Sequence, residues 1–394
     1  MDALAKLLAL PEGEKKARGL LDTPREISQQ PATWREGYRK FLPLVPGIEG
    51  FLARAGLNNR ANRVAVLLVG AGTSDYIGQS LCALLQQQWR CDVKSVPSTD
   101  LLTNMDEYMV AGGKYLWISF SRSGDSSEGV AVLRSAVTRY PAIHHIVVTC
   151  NKLGQMASSF NGHANVFSIV LDDQVNDRGL AMTSSFSNMV ITGQSLAHIH
   201  ELNTYARILE ELAAAAQGLL PKAAEMCAHL VADGFSKVCF LGSGALKAAA
   251  IESGLKVLEL TAGRVISFAE SFLGLRHGPL SAIDSETLVV GFLSGDARRR
   301  SFELDLLEEI CDKKLTAKYL AVLPGPPDDL VTQVTNNAIL LPFSMPISDL
   351  YRPPLDAIVG QLLGLFASLE HGLKPDSPSP QGAISRVVSH VRIH

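Results

Sequence analysis

Residues 119–128 hold five serines and one glycine, between the apolar run 115–118 and a helical pattern that begins near Val130. A strand that turns into a helix here leaves backbone N–H groups unpaired at the positive end of the helix dipole, where an anion such as phosphate can bind. Hydroxyls at 121, 123, 126 and 127 could complete that site. A serine-rich helix cap without a ligand is the alternative interpretation, because Ser and Asp are favoured at caps in any case.

A second group of reactive side chains lies on a predicted helix at about residues 245–262, which Gly263 ends. Glu252, Lys256 and Glu259 are spaced i, i+4 and i+7, so they share one face of that helix. A solvated stripe of charges is the ordinary interpretation of such spacing. Because this helix follows a glycine turn at a strand end, however, we expect burial there, and buried charges need partners or a ligand.

His277 is the third candidate, since the following Gly-Pro restrains it and its pKa range suits proton transfer near neutral pH. A surface-loop histidine is the alternative. A carboxylate, an ammonium group, a histidine and a phosphate clamp are together what moving a proton between C1 and C2 of a sugar phosphate requires. The carboxylate would serve as the base, and the ammonium group would stabilise the enediol oxygens. The histidine would open the ring, and the phosphate clamp would position the substrate.

The elements that position these residues alternate between strands and helices. Apolar runs predict buried parallel strands at 64–69, 92–96, 115–120, 145–149 and 166–171, with helical periodicity between them. The first strand ends in Gly70-Ala71-Gly72-Thr73-Ser74, which opens a helix. This order predicts an α/β protein with a parallel sheet covered on both faces, and ligands in such folds bind beyond the carboxyl ends of the strands.

The strand-turn pattern occurs twice. Residues 66–72 reappear as residues 238–244, and residues 123–125 reappear as residues 294–296, so the two offsets differ by a single position. We interpret them as two copies of one α/β unit, with chance similarity as the alternative. The second copy has lost the hydroxyls, so we expect it to have kept only the scaffold. A boundary is expected within residues 194–233, with residues 218–221 as a plausible break.

The bulk composition excludes several classes of protein. The chain has 394 residues, 47% hydrophobic and 19% charged, which suits two packed domains. Its formal net charge of -3 offers no basic field for nucleic acid or an anionic membrane. Six cysteines stand singly without zinc-site spacing, so we expect reduced thiols and no metal.

The sequence gives no indication of a targeting or membrane segment. The first ten residues lack the features of an export signal, so we expect a cytoplasmic protein. The longest apolar segment, residues 355–369, is interrupted by Gly360, Gln361 and Gly364 and is shorter than the ~20 residues that span a bilayer. It predicts a buried helix.

Four ordered motifs, residues 70–74, 121–126, 252–259 and 277–280, resemble the sugar isomerase (SIS) fold, in particular the isomerase half of glucosamine-6-phosphate synthase. The length, the absence of a glutaminase domain and the ending from residue 374 to 388 are more similar to the bacterial tagatose-6-phosphate ketose/aldose isomerase family. Members of that family are also described as galactosamine-6-phosphate deaminases. The resemblance covers about residues 40–390.

This resemblance implies two tandem SIS subdomains, each a flavodoxin-like parallel sheet flanked by helices in a three-layer αβα arrangement. We expect a helical N-terminal arm at 1–45, a first SIS domain at 46–215, a second at 216–375, and a C-terminal tail at 376–394 that closes the active site. Within the arm, residues 23–26 predict a capped helix with Thr23 as its cap.

Carried over by position, the resemblance also implies roles for individual residues. Glu259 would be the base and His277 the ring-opening residue, while Lys256 and Glu252 would flank the sugar. The phosphate would be held by the hydroxyls of Ser74, Ser121, Ser123 and Ser126 and by Arg122 and Gly124, with Gly72, Thr73 and Arg386 as further substrate contacts. The synthase takes its histidine from the neighbouring subunit, which implies a homodimer with shared active sites.

Two residues depart from the synthase. Arg122 stands where its serine loop has glutamine, which would add a charge contact to the phosphate. Arg386 stands where the synthase has an imine-forming lysine, and an arginine stays protonated and forms imines poorly. A deaminase does not need that imine, because the amine of its substrate already leaves from C2.

The expected function is therefore the conversion of galactosamine 6-phosphate to tagatose 6-phosphate and ammonia, without a cofactor. Aldose/ketose isomerisation without deamination is the alternative that uses the same base. A regulatory module that binds a phosphosugar without turnover is the alternative of another class. No helix-turn-helix segment is evident before residue 60 to support that third interpretation.

Overall fold

The computed structural model describes residues 1–316, 318–328, 331–332, 338–388 and 391–393. The chain divides into two compact units. What we call the first unit comprises Ala32–Asp177, Ser184–Leu209 and the tail from Ser385 onward, and the second unit comprises Met1–Pro31, Arg178–Thr183 and Glu210–Ile384.

Each unit is built on a parallel sheet, with five strands among the described residues of each. The strands of the first unit are β1 (Ala65–Gly70), β2 (Val93–Pro97), β3 (Tyr115–Ser121), β4 (His144–Thr149) and β5 (Val166–Val170). Those of the second unit are β6 (Lys237–Gly242), β7 (Ile266–Glu270), β8 (Thr287–Phe292), β9 (Lys318–Leu323) and β10 (Ile339–Pro342).

Helices surround these strands. The α-helices that lie wholly within the described residues are α1 (Ala3–Leu8), α2 (Glu12–Arg18), α3 (Thr23–Ser28), α4 (Gln30–Phe41), α5 (Val45–Arg54), α6 (Thr73–Trp89), α7 (Ser98–Asn104), α8 (Ser127–Arg139), α9 (Gln155–Ser158), α10 (Ser184–Ala197), α11 (Leu202–Ala232), α12 (Ala245–Leu260), α13 (Phe272–Leu275), α14 (Ala297–Asp312) and α15 (Pro353–Glu370). Short 3₁₀ turns lie at Leu42–Leu44, Arg60–Asn62, Met105–Tyr108, Asp173–Val175 and Pro279–Ala282.

The two sheets have the same topology, which confirms the predicted repeat. The strand orders are β2-β1-β3-β4-β5 and β7-β6-β8-β9-β10, the order of flavodoxin-like sheets. Val66 pairs with Leu116 in the first sheet, and Val238 pairs with Leu288 in the second. Val238 follows Val66, and Leu288 follows Leu116, by the same number of residues, so the two strand pairs have the same register. Every residue of β3 and β8 is buried, as expected for parallel strands covered on both faces.

One sequence prediction about the linking region is wrong. Residues 218–221 do not interrupt the helical region, because α11 is continuous from residue 202 to residue 232 with Pro221 inside it. A proline inside a helix costs about 3 kcal/mol. Here the helix buries apolar side chains on both sides of the proline, and their burial offsets that cost: Leu212, Leu219, Ala223, Ala224 and Cys227.

The helix predicted at residues 23–26 is present as α3, although its cap residue is Asp22 and not Thr23. A residue far along the chain, Asp376, holds the start of this helix. The Asp376 carboxylate accepts hydrogen bonds from the main-chain N–H groups of Leu21 and Thr23, each at 2.8 Å, and from the Thr23 hydroxyl at 2.8 Å. Asp376 therefore satisfies donors that a capping side chain would otherwise serve.

The apolar segment at 355–369 forms α15, which is buried along nearly its whole length in the second unit. Its glycines let it approach α12 closely. A Cβ atom on Gly360 would lie 2.3 Å from the Cβ of Ser253, and one on Gly364 would lie 2.9 Å from the carbonyl oxygen of Lys256. Across the described part of the chain, no helix combines the length and apolarity needed to span a membrane.

Candidate active site

The turn after β1 shows why its two glycines are needed. A Cβ on Gly70 would lie 2.3 Å from the carbonyl carbon of Ser74, and Gly72 has φ +54°. The first glycine thus permits close contact between strand and helix, and the second adopts a positive φ angle that favours glycine. The turn after β6 repeats both features at Gly242 and Gly244. In the first unit this turn places the buried residues Thr73 and Ser74 at the start of α6.

The serine loop, residues 121–126, connects β3 to α8 and is folded by its own side chains. The main-chain N–H of Gly124 donates to Ser121 Oγ at 3.0 Å, and that of Asp125 donates to Ser123 Oγ at 3.2 Å. Gly124 has φ +64°, which favours glycine there. These local bonds hold the loop in this conformation.

Residues that follow β4 brace the serine loop, and they were not among the predicted site residues. Asn151 Nδ2 donates to the carbonyl of Ser123 at 2.8 Å, and the main-chain N–H of Met156 donates to the carbonyl of Gly124 at 2.9 Å. A Cβ on Gly154 would lie 2.4 Å from the Ser123 carbonyl oxygen. The position of Asn151, just beyond a predicted strand at the ligand-binding edge of the sheet, was a signal that could have identified it.

The hydroxyls of Ser123 and Ser126 are left to act as donors. Ser123 Oγ accepts one bond within the loop, and its proton has no acceptor among the described residues. Ser126 occupies the N-cap position of α8, yet its side chain makes no capping hydrogen bond. Capping therefore does not account for these two serines. Ser127, by contrast, is the first residue of α8, as expected of a helix-start residue.

The C-terminal tail packs on the serine loop within the first unit. The guanidinium of Arg122, which is buried, donates to the carbonyl of Arg386, and the main-chain N–H of Ser127 donates to the carbonyl of Val388 at 3.3 Å. The guanidinium of Arg386 itself binds the carbonyl of Asp177 and Oδ1 of Asn176, both at 2.7 Å. The structure thus brings Arg122 and Arg386 together through the tail backbone.

On α12 the predicted charged face forms one ion-paired cluster. Lys256 Nζ lies 2.7 Å from Glu259 Oε2 and 3.3 Å from Glu252 Oε1. The side chains of Lys256 and Glu252 are 0% exposed, whereas that of Glu259 is 24% exposed. Burial alone would lower the pKa of Lys256, but the two carboxylates outweigh it and raise that pKa. Lys256 is therefore a cation, and Glu259 is the member of the cluster that reaches solvent.

A second ion pair lies at the start of α12. Lys247 Nζ donates to Oε1 of Glu270, the last residue of β7. This hydrogen bond holds the pKa of Glu270 below its usual range. Glu270 was not among the predicted site residues, because no strand was predicted at Ile266–Glu270 whose end would have marked it.

His277 is exposed on the turn between α13 and the 3₁₀ turn Pro279–Ala282. Gly278 has φ +125°, so the turn depends on the glycine that follows the histidine. The ring makes no hydrogen bond or ion pair to any residue in the described part of the chain. The structure therefore does not bring His277 to the charged cluster of α12 within this unit.

Comparison with known proteins identifies the family. No protein-family model matches the chain. The D-galactosamine-6-phosphate deaminase AgaS of Escherichia coli O157:H7 is 33% identical over 373 residues, which cover 94% of this chain and 95% of that protein. The chain belongs to the AgaS family. A second member, AgaS of Shewanella sp. (strain ANA-3), is 31% identical and covers 95% of this chain and 92% of its own.

Solved structures agree with membership of the AgaS family. The tagatose-6-phosphate ketose/aldose isomerase from Escherichia coli matches with a TM-score of 0.84 at 32% identity, over 94% of this chain and 96% of that one. The C-terminal domain of glucosamine-fructose-6-phosphate aminotransferase from Francisella tularensis matches with a TM-score of 0.75 at 18% identity, over 90% and 98% of the two chains. The second likeness is one of fold, and together they confirm the expected tandem SIS architecture.

Proposed function

We propose that this AgaS family member converts D-galactosamine 6-phosphate and water to tagatose 6-phosphate and ammonia. The observation that carries the proposal is the cluster on α12, in which a buried lysine holds a carboxylate that reaches solvent. Such a carboxylate can take a proton from a substrate carbon. The names of the relatives, a deaminase and a ketose/aldose isomerase, support the same reaction class.

The proposed chemistry needs one base. Glu259 removes the proton from C2 of the open-chain aldose, giving an enolamine, and returns a proton to C1. The product of this transfer is an imine at C2, and attack by water on that carbon releases ammonia and leaves the ketone. The reaction consumes one water and requires no oxidant, because the electrons that leave the C2–H bond form the new C1–H bond.

Within the cluster, Lys256 and Glu252 are best described as positioning residues. Both side chains are fully buried, and Lys256 contacts Glu259 at 2.7 Å. The ion pair fixes the orientation of the Glu259 carboxylate. When Glu259 accepts a proton and becomes neutral, Glu252 still balances the lysine charge, so no buried cation is left unpaired.

The phosphate is proposed to bind the serine loop. Ser123 and Ser126 have hydroxyl protons that no described acceptor takes up, and the N-terminus of α8 favours an anion. Ser121 supports the loop by accepting from Gly124. Ser74 and Thr73 at the start of α6, with Gly72 and Gly124, are proposed to complete the contacts to the substrate.

We also propose that a second copy of the chain supplies His277. Its exposed ring has no described partner, so it is available to a neighbouring subunit for ring opening. Complementation tests this: Glu259→Gln and His277→Ala are each inactive alone, and mixed subunits should recover part of the activity. No recovery in mixtures verified by mass to be hetero-oligomers would contradict the shared site.

The reaction is proposed to take place in the cytoplasm. All six cysteines are free thiols, which suits a reducing compartment. Fractionation of cells that produce the protein tests this.

Incubation of the purified protein with D-galactosamine 6-phosphate tests the proposed reaction. We expect ammonia and ketose in equal amounts, and less of both from D-glucosamine 6-phosphate. Ketose production from the aldose phosphate without ammonia from the amino sugar would instead establish simple isomerisation, which uses the same base. Binding without any turnover would indicate a regulatory phosphosugar-binding module.

A further inference from the structure

The turn between β8 and α14 in the second unit encloses the carboxylate of Asp349. This side chain is buried and receives hydrogen bonds from a main-chain N–H, a hydroxyl and two guanidinium groups. Gly295 N–H donates to Oδ1 at 2.9 Å, and Arg352 Nη1 donates to the same oxygen at 3.2 Å. Arg299 Nη1 donates to Oδ2 at 2.6 Å, and the Ser294 hydroxyl donates to the same oxygen. Donors of this kind are typical of a phosphate or carboxylate site.

This turn is the counterpart of the serine loop. Each connects the middle strand of its sheet, β3 or β8, to the following helix. The main-chain N–H of Asp296 donates to Ser294 Oγ at 3.0 Å, just as that of Asp125 donates to Ser123 Oγ at 3.2 Å. In both turns the same hydroxyl is therefore left with its proton to donate. In the second turn that proton goes to Asp349.

The second turn is also shorter than the serine loop. Leu116 of β3 and Leu288 of β8 occupy equivalent places in their sheets, since each pairs with the corresponding valine of the neighbouring strand. The helix that follows begins at Ser127 in the first unit but already at Ala297 in the second, which is two positions sooner after the strand. A shorter turn suits a carboxylate that arrives on the protein's own chain better than a free phosphate, which is larger.

We infer that the second unit contains a closed anion site, whose anion is the Asp349 carboxylate. The second turn retains the Ser294 hydroxyl and the Gly295 N–H as donors, and both are taken up by Asp349. The inference goes beyond the proposed function, because it concerns a turn to which that function assigns no role. Of the two turns, the serine loop is the one whose corresponding hydroxyl, that of Ser123, has no acceptor for its proton among the described residues.

Removal of the side chain should open this site. Asp349→Gly leaves the two arginines and the turn donors facing a space that matches acetate. We expect acetate, compared with chloride at the same ionic strength, to raise the Tm of this variant by about 3 °C or more at saturation. The wild-type protein, whose site is filled, should show no difference between the two anions.

Two further variants make the experiment specific. Asp349→Ala is the smaller change and should respond to formate, which replaces the lost carboxylate group. In Asp349→Gly combined with Arg299→Gln, the acetate effect should weaken several-fold in apparent affinity, because one donor is gone. If a variant does not fold in chloride, recovery of its circular dichroism signal in acetate or formate is the readout.

The inference is overturned if acetate and formate do no more than chloride for either variant, whether or not the variants fold. No sugar phosphate is present in these measurements. Their outcome is therefore independent of whether the serine loop binds substrate phosphate, and failure of one proposal would not be mistaken for failure of the other.

Discussion

The Glu259 carboxylate has contact with both solvent and a buried cation, a combination that suits a base. Glu259→Gln keeps the shape and the contact with Lys256 but removes the basic oxygen. We expect kcat to fall about 100-fold to 10,000-fold with little change in KM, since base catalysis contributes a factor of that size. Steady-state release of ammonia and ketose measures it.

Glu225→Gln is the matched control, because Glu225 is exposed on α11. Its activity should equal that of the wild-type protein. If Glu259→Gln retains turnover near the wild-type rate, the base has been wrongly assigned.

Ser123 and Ser127 offer a comparison of two neighbouring hydroxyls in the first unit. Ser123 has a proton to donate to a phosphate, whereas Ser127 begins α8. A hydrogen bond to a charged group contributes about 1.5–3 kcal/mol. Ser123→Ala should therefore raise KM about 10-fold or more, with a smaller effect on kcat, and Ser127→Ala should change neither. Equal KM values for the two variants would favour the capping interpretation of the serines.

At the residue scale, the sequence predicted what depends on local spacing. Glu252, Lys256 and Glu259 could be placed on one face because helix geometry alone decides it. Asn151 and Glu270 could not be paired with their partners, Ser123 and Lys247, because strand order brings them together and the sequence does not state that order.

At the scale of helices and strands, the packing of α15 on α12 positions the charged cluster. Gly360→Ala would place a Cβ 2.3 Å from the Cβ of Ser253, so one helix must shift. We expect a loss of about 1–3 kcal/mol in the free energy of unfolding, the usual cost of overpacking, together with a lower kcat because Glu259 moves. Urea denaturation and the ammonia assay measure the two effects.

Gly254→Ala is the control for this experiment. Its Cβ would lie 3.7 Å from Ser267 Oγ, which is ordinary contact. Alanine is favoured over glycine within a helix by about 0.5–1 kcal/mol, so this variant should be as stable as the wild-type protein or more stable. Equal losses at both positions would contradict the close-packing explanation.

The sequence predicted that 355–369 is a buried helix, but not the purpose of its glycines. Gly360 and Gly364 look like interruptions of an apolar run, and only the neighbouring helix shows that they permit close approach. Pro221 led to the opposite error, because a break was predicted where the helix continues. A local rule marked it as a break, and burial along α11 outweighs that rule.

For the whole molecule, the repeat was the most informative sequence signal. Two nearly equal offsets predicted two copies of one unit, and the sheets confirm it in strand order and register. The sequence did not reveal the partner of the second turn. Asp349 lies far along the chain from residue 294, and no local pattern connects the two.

At the scale of the whole molecule, one core histidine should contribute to the loss of stability in acid. His145 is fully buried on β4, and its ring nitrogens make no hydrogen bond to any described residue. Burial lowers its pKa to about 3, with smaller contributions from His144 and His163. Below about pH 6.5, the unfolded chain binds a proton that the folded protein does not. Stability is therefore lost progressively as the pH falls from about 6.5 towards 3.

Between pH 7 and pH 5 this one group should reduce the free energy of unfolding by about 2 kcal/mol. Urea denaturation of His145→Leu should show a pH dependence smaller by that amount, whatever its stability at pH 7. His229→Gln, at an exposed position, is the control and should follow the wild-type curve. Parallel curves for His145→Leu and the wild-type protein would show that His145 titrates normally.

The carboxylate enclosed by the second turn also bears on how such a chain could diverge after tandem duplication of its gene. Two identical halves begin with equal ligand sites, and a half that lost its ligand would be left with donors facing nothing. In this chain the Asp349 carboxylate supplies that negative charge, so the donors of the second turn are paired without a ligand. That half has the same strand order as the first, and its charged cluster lies on α12 instead of on the turn.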